Sequence, residues 1–381
     1  MRICFQILLL LFLNLILIVF NGCLFENYDY FVPGEYNDIE SVIDGNDVSS
    51  LSMITDQNNI YLIYNNNCQF AISKDNGSNW SKTSITDIYS EFKSIAMNTS
   101  YLYISFYSDA NGLKIGKSSK NPIKWSYYSV DSQTYTGYYN SIAADDSNVY
   151  ISYYSSTDGD LKFAKSIDEG ENWSTYTIDS EGDVGYYTSI AVDGNNIYIA
   201  YYDKTNGDLK FAKSVDGGNN WTTKTIDSED DTGGFISMVV EDNNIYMSYY
   251  SFGIKHDLKF AKSEDKGGTW NIKTVDSDNN VGKYTSIAVN SNNVYISYYD
   301  STNGDLKFAS SSDYGNTWPI IKKIATKGTA GLYCTMVLKN STICIAYYYF
   351  YYDYNVYYYY DSNNDGQLKF VRSDDGGSTW Y

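Results

Sequence analysis

Seven tryptophans, Trp80, Trp125, Trp173, Trp221, Trp270, Trp318 and Trp380, recur at separations of 45, 48, 48, 49, 48 and 62 residues, and they are all the tryptophans in the chain. A near-fixed spacing in this range marks one supersecondary unit copied around a ring or along a stack. Six of the seven close the same octet, Ser-x-Asp-x-Gly-x-x-Trp, beginning at Ser73, Ser166, Ser214, Ser263, Ser311 and Ser373. The seventh keeps Ser118 and Trp125 but has Lys120 and Pro122 where Asp and Gly stand in the others.

One copy, residues 187–227, holds four strand-like runs at 189–192, 197–202, 209–214 and 221–226, separated by Gly, Asn and Asp turns. Their alternating or apolar patterning is that of short strands, and no run has a 3.6-residue period long enough for a helix. Four antiparallel strands per unit describe a propeller blade. The octet then spans the turn between strands three and four. Its Asp and Ser can hydrogen-bond the turn backbone, its Gly supplies a positive φ, and its Trp opens strand four and buries a large ring between sheets. The copy with Lys120 and Pro122 should be the least regular. Only Tyr381 follows Trp380, so the last unit lacks its fourth strand. Residues 39–45, similar in pattern to 222–228 and 272–277, are expected to supply it and close the ring, removing exposed sheet edges. The fold class expected is all-β, a seven-bladed β-propeller over 38–381, with six blades as the alternative.

The formal net charge of the chain is -19. Nucleic acid and anionic membrane surfaces are therefore poor partners, because phosphate binding needs a positive patch. Tyrosine reaches 43 residues. Two readings of that bias stand side by side: compositional drift toward Tyr, Asn, Ile and Lys in an AT-rich genome, or an aromatic binding surface. His256 is the sole histidine, so a histidine metal cluster or a Ser–His–Asp nucleophile cannot be built. It reads as a turn residue.

The first residues read as an address. Arg2 precedes an apolar run over 3–20, interrupted by Gln6 and Asn14, and Gly22-Cys23 follows. A basic start, an apolar segment and a small residue before a cut site describe a secretory signal. Cys23 directly after Gly22 resembles the bacterial lipobox, although Phe20 and Asn21 replace its usual aliphatic and small residues. That resemblance implies a signal peptide at 1–22, a diacylglycerol thioether on Cys23, a polar tether at 23–37, and a bacterial extracytoplasmic, membrane-anchored lipoprotein facing the cell surface or periplasm. An uncleaved signal anchor is the competing reading; the run is slightly short of the ~20 apolar residues a span needs. Cys68, Cys334 and Cys344 are expected to be buried free thiols, since hairpin register sets Val337 opposite Cys344 and turns Cys334 to the other face.

Candidate functional residues cluster in two sets of loops that share one face of a propeller. The connections from strand four to strand one carry Gly137-Tyr138-Tyr139, Gly185-Tyr186-Tyr187, Gly234-Phe235 and Gly282-Lys283-Tyr284. The connections from strand two to strand three carry Asp160, Asp208, Asp257 and Asp305, each directly before Leu-Lys-Phe. Hairpin termination explains such aspartates structurally. A carbohydrate-binding face is the functional reading, with rings stacked on sugar C–H surfaces and carboxylates accepting hydroxyl hydrogens. Glycosidase chemistry would need two of these aspartates at ~5–9.5 Å across one sugar. The last blade adds a tyrosine-rich insertion, including Tyr351, Tyr352, Tyr357 and Tyr358, expected to project from the same face. Beside it Asp361, Asn363 and Asp365 match the first half of a calcium loop, but Arg372 stands where the bidentate Glu would be, so a solvated turn competes with a calcium site. No other cofactor is expected.

The octet resembles the Asp-box, or bacterial neuraminidase repeat, of the sialidase-like propeller superfamily, and the resemblance covers about 38–381. It implies structural roles for Asp75, Asp168, Asp216, Asp265, Asp313 and Asp375 and for Trp80, Trp173, Trp221, Trp270, Trp318 and Trp380, on the rim away from the ligand face. Sialidases of that superfamily hold the substrate carboxylate with three arginines. Beyond residue 22 this chain has only Arg372, so an arginine triad is impossible and sialidase activity is disfavoured. The expectation is a non-catalytic surface module that engages a glycan or a protein partner. A non-sialidase glycoside hydrolase and a purely structural surface lipoprotein are the alternatives.

Overall fold

The computed structural model describes residues 41–44, 48, 50–65, 67–85, 91–109, 111–350 and 366–381. Cys23, Tyr351, Tyr352, Tyr357, Tyr358, Asp361, Asn363 and Asp365 lie outside them. The residues from Ile39 to Tyr381 form one unit. Its described strands make seven four-stranded antiparallel sheets, each a blade. Blades 1 to 6 run over 51–84, 91–131, 136–179, 184–227, 232–276 and 281–325. Blade 7 combines Thr329–Lys339, Thr342–Phe350 and Gln367–Ser373 with the N-terminal strand Ser41–Asp44, which pairs Ser41 with Phe370 and Val42 with Lys369. The ring therefore has seven blades, not six, and the N-terminal segment closes it as the sequence predicts. The blade with Lys120 and Pro122 keeps all four strands, and its last turn is built differently, with Ser118 Oγ accepting from the Lys124 amide at 2.7 Å.

Apolar side chains of successive blades interdigitate. Tyr150, Leu161 and Phe163 of blade 3 meet Ile190, Ile197, Ile199 and Ala212 of blade 4. The same packing joins blade 7 to blade 1, where Cys344, Ala346, Leu368 and Phe370 meet Met53, Ile60, Leu62 and Ala71. Second and third strands are buried, whereas the fourth strand of blade 4 is exposed along most of its length. Cys68, Cys334 and Cys344 are buried free thiols, and Val337 faces Cys344 as the register argument requires.

The octets stand at the end of the blades opposite the turns between strands two and three. In blade 4 Ser214 Oγ donates to Asp216 Oδ1 at 2.8 Å and accepts from the Gly218 amide at 2.9 Å, while Asp216 accepts from Asn220. Such bonds hold the Asp168, Asp216, Asp265, Asp313 and Asp375 carboxyls down at about 2. The tryptophans are half-buried; Trp80, Trp173, Trp221, Trp270 and Trp318 stand just before the fourth strand rather than in it, Trp125 opens one, and Trp380 ends the last octet while the N-terminal strand fills the fourth place of its blade. Each ring reaches back to the preceding blade. Trp221 meets Phe163 edge-on at 5.0 Å, Trp270 meets Phe211 at 5.1 Å, and Trp80 closes the circle on Phe370 at 5.4 Å. Arg372 also spans that seam, donating to the Asn76 carbonyl at 2.9 Å.

A second inter-blade device was not legible from the octet. In blades 3, 4 and 5 the last residue of the fourth strand is an aspartate that accepts from a tyrosine and a lysine of the next blade. Asp276 takes Tyr298 Oη at 2.6 Å and Lys307 Nζ at 2.5 Å. Asp227 takes Tyr249 and Lys259 at 2.8 and 2.6 Å, and Asp179 takes Tyr201 and Lys210 at 2.6 Å each. Burial by itself would raise the Asp179 carboxyl, but Lys210, Tyr201 and the Glu181 amide together hold it below the usual value. Asp44 meets Tyr64 at 2.8 Å across the closing seam. Ile85 holds the matching place just past the last strand of blade 1; there the tyrosine position of blade 2 is Phe106, and the two are buried in one apolar cluster.

Candidate functional site

At the other end of the blades the first strands converge. Their starts lie by the turns between strands two and three: Val184 pairs with Asp203, which pairs with Asp208 across that turn. The Gly-Tyr-Tyr segments therefore belong to the first strands themselves, not to connecting loops. Within each strand the register slips. Tyr186 pairs with Tyr202 but Ser189 pairs with Ala200, so Tyr187 and Thr188 stand opposite one residue in a bulge. Tyr187 takes φ 51, and Phe92, Tyr139, Phe235, Tyr284 and Tyr333 take φ 50, 48, 51, 53 and 54 at the matching place. A left-handed backbone costs a bulky residue ~1–2 kcal/mol. Six blades bear that cost, and the return is a set of rings turned toward the axis.

Those rings form a continuous arc. Centroids of Phe92–Tyr139, Tyr139–Tyr187, Tyr187–Phe235, Phe235–Tyr284 and Tyr284–Tyr333 lie 4.6, 4.8, 4.9, 4.6 and 4.7 Å apart. All six residues are half-buried. Burial, reinforced by the neighbouring phenols, pushes the Tyr187 and Tyr284 hydroxyls up, so both stay protonated donors at neutral pH. Blade 1 interrupts the arc. Ser52 Oγ accepts from the Ile95 amide as Ser141 Oγ accepts from Ile190, so Ser50 is the counterpart of Tyr139. A cavity of 260 Å³ lies on the axis beside this gap, lined by consecutive pairs from five first strands: Ser50-Leu51, Phe92-Lys93, Tyr139-Asn140, Tyr187-Thr188 and Phe235-Ile236.

An outer tier surrounds the arc. Tyr138 stacks on Tyr107 and Tyr186 packs at a tilt against Tyr154, each at 4.2 Å, and Tyr154 donates to Asp183 at 2.7 Å. Tyr202 donates to Asp231 at 2.6 Å. Lys204 donates to the Tyr186 hydroxyl at 3.1 Å. In blade 5 Gly234 replaces the outer tyrosine, and the Phe252 ring occupies the space, 2.4 Å from where a Cβ would stand. His256 sits in a turn at φ 56, its Nδ1 2.9 Å from the Tyr250 hydroxyl.

Of the sequence-derived site, Tyr139, Tyr187 and Tyr284 stand on the arc, and Tyr138 and Tyr186 in the tier outside it. Phe92 and Tyr333 were missed, although each lies two residues before the serine or threonine that matches Ser189. Asp160, Asp208 and Asp305 open third strands, and Asp257 immediately precedes one, each in a different blade and none lining the axial cavity. Burial raises the Asp160, Asp208 and Asp257 carboxyls. Asp305 is held by Lys323 at 2.6 Å. Among the described residues no group of three or more His, Cys, Asp or Glu is placed to hold a metal ion.

No family model and no curated protein matches this chain. Solved structures share its architecture. A PL25 polysaccharide lyase, an ulvan lyase bound to -[GlcA(1-4)Rha3S]-, aligns with TM-score 0.64 and 12% identity over 87% of this chain and 95% of that one. YCF48 bound to a D1 peptide aligns with TM-score 0.58 and 14% identity over 88% and 96%. The Aleuria aurantia lectin in complex with α-methyl-L-fucoside aligns with TM-score 0.50 and 14% identity over 73% and 96%. At such identities the likeness extends to the fold alone: this chain is similar to propellers, and its chemistry must be read from its own residues.

Proposed function

We propose that this chain is a binding module whose axial face engages carbohydrate. The observation that supports this most directly is the arc of six half-buried rings, held by a strained backbone repeated in six blades. Strain concentrates where function requires it. Aromatic faces offer apolar surface to sugar C–H groups, while Asp183, Asp231 and Lys204 at the margin offer acceptors and a donor for hydroxyls. A propeller that binds a D1 peptide and one that binds a fucoside are among the neighbours, so both ligand classes suit the architecture. The repeated polar margin favours the sugar. Tyr187→Ala, placed mid-arc, is expected to weaken glycan binding by about thirtyfold, the ~2 kcal/mol of an aromatic anchor. Titration of the full chain in detergent with array-identified glycans checks this; unchanged affinity in a folded variant would count against the face.

The same proposal places the module outside the cytoplasm, tethered through a lipid on Cys23. Cys23→Ala should move the chain from the membrane pellet to the soluble fraction and remove the acyl mass. Retention of both would discard the anchor.

A further inference from the structure

The outer tier differs from blade to blade, and the differences single out one seam. The first-strand residue just before the arc is Glu91, Tyr138, Tyr186, Gly234, Lys283 and Leu332 in blades 2 to 7. Only Tyr138 and Tyr186 are aromatic. Lys204 caps Tyr186, with its Nζ 4.9 Å from the ring centroid. Tyr138 rests on Tyr107, its hydroxyl donating to the Tyr107 hydroxyl at 3.1 Å, and no lysine lies over it among the described residues. It also meets Phe92, which lines the axial cavity, at 5.3 Å. An aromatic path therefore leads outward from the cavity between blades 2 and 3.

Tyr135 stands at the outer end of that path. The residue before the first paired position of the first strand is Tyr135, Asp183, Asp231, Asn280 and Gly328 in blades 3 to 7. Asp183, Asp231 and Asn280 each accept from a tyrosine of the preceding blade. Tyr135 instead presents a residue 59% exposed, with φ 58. Asp231 and Gly328 share that left-handed backbone, which Asp and Gly adopt more readily than a bulky residue does. A ring kept at that cost and turned to solvent is explained by a partner outside the fold.

We propose that Tyr138 and Tyr135 extend the axial site into a radial groove for a neutral linear oligosaccharide, with one sugar on the arc, the next on Tyr138 and a third at Tyr135. The inference rests on the carbohydrate reading above and adds the length, direction and charge class of the ligand. The axial cavity, at 260 Å³, falls just below the ~300 Å³ at which drug-sized ligand pockets begin, so it holds one sugar ring and the rest of the chain must leave it. Stacking on Tyr107 holds Tyr138 in place before a ligand arrives. The exposed Asp109, bonded to the Tyr107 hydroxyl, adds an acceptor for sugar hydroxyls. That carboxylate and the formal charge of -19 oppose acidic glycans. Because the tier is aromatic and uncapped at one seam, one oligosaccharide binds per chain.

The test titrates the full chain in detergent with cello-, xylo-, manno- and laminari-oligosaccharides of one, two and three residues. In the series that binds, affinity should rise about tenfold with each added residue, at a stoichiometry of one. Tyr138→Ala should reduce the affinity for two and three residues to that for one. Tyr135→Asn suits the left-handed backbone and removes an exposed ring, so it should fold as the parent does and lose only the gain from the third residue. Tyr187→Ala, by contrast, should weaken every length. Equal binding of all lengths by the unaltered chain overturns the groove while leaving the carbohydrate reading in place, as does a length dependence that survives either of the first two variants. Several equivalent sites per chain would overturn the single direction. Binding of no member of any series overturns both readings.

Discussion

Asp276→Ala is expected to destabilise the propeller by about 3–5 kcal/mol, the cost of stranding one member of a buried ion pair. Asp276 and Lys307 are each 6% exposed, and the carboxylate also accepts the Tyr298 hydroxyl at 2.6 Å. Removing it leaves a lysine and a phenol in an inter-blade seam without the carboxylate they share. Asp276 is the sharper choice over Asp179 because Lys210, the partner of Asp179, has Asp203 at 3.7 Å as a second carboxylate. The pair's own contribution is a separate matter, since desolvation of both charges offsets much of their attraction. The seam between blades 1 and 2 shows an apolar solution, Ile85 against Phe106. The triple variant Asp276→Ile, Tyr298→Phe, Lys307→Met should therefore recover most of the loss. Chemical denaturation of all three proteins checks both statements. A single variant as stable as the parent would mean that the seam admits water.

The repeat made the architecture legible, and the reason is physical. Each blade must bury both faces of its inner strands against neighbours, so the apolar pattern, the turn residues and the tryptophan recur with the blade and announce its length. The closing strand was legible for the same reason: Ser41–Asp44 repeats the fourth-strand pattern and finds the open edge beside Gln367–Ser373. The site was legible only in part. Tyr139 and Tyr187 stood out because each closes a Gly-Tyr-Tyr run, and Tyr284 a Gly-Lys-Tyr one, yet the bulge that turns them inward is a tertiary compromise with no local signature. Phe92 was hidden because its blade lacks the preceding Gly-Tyr pair. Lys307, Lys259 and Lys210 looked like ordinary alternation in a Leu-Lys-Phe strand, whereas their function depends on an aspartate about 30 residues earlier in another blade, a relation that periodicity alone does not expose.

The octet glycines yield the second large effect, and they separate two costs that sequence reading merged. Gly194, outside the octets in the turn between the first and second strands of blade 4, gives the reference: it has φ 58 and an added Cβ would meet nothing within 4 Å, so Gly194→Ala should cost only the ~1 kcal/mol of a left-handed alanine. Gly315 has φ 80, and a Cβ there would lie 2.4 Å from the Phe260 ring of the preceding blade. Phe260 in turn meets Trp318 edge-on at 5.2 Å, so it has little room to withdraw. Overpacking of this kind adds ~1–3 kcal/mol, and Gly315→Ala should therefore lose ~2–5 kcal/mol in total. Gly170→Ala falls between them, because its φ of 88 lies farther from the left-handed minimum than that of Gly194, while an added Cβ would meet Ile115 and Tyr103 only at an ordinary 3.5 Å. The expected order of denaturation midpoints is Gly194→Ala highest, then Gly170→Ala, then Gly315→Ala. If the three variants lost the same stability, backbone conformation alone would explain the glycines, and the seating of one blade's aromatic ring on the next blade's turn would contribute nothing to holding the ring of blades together.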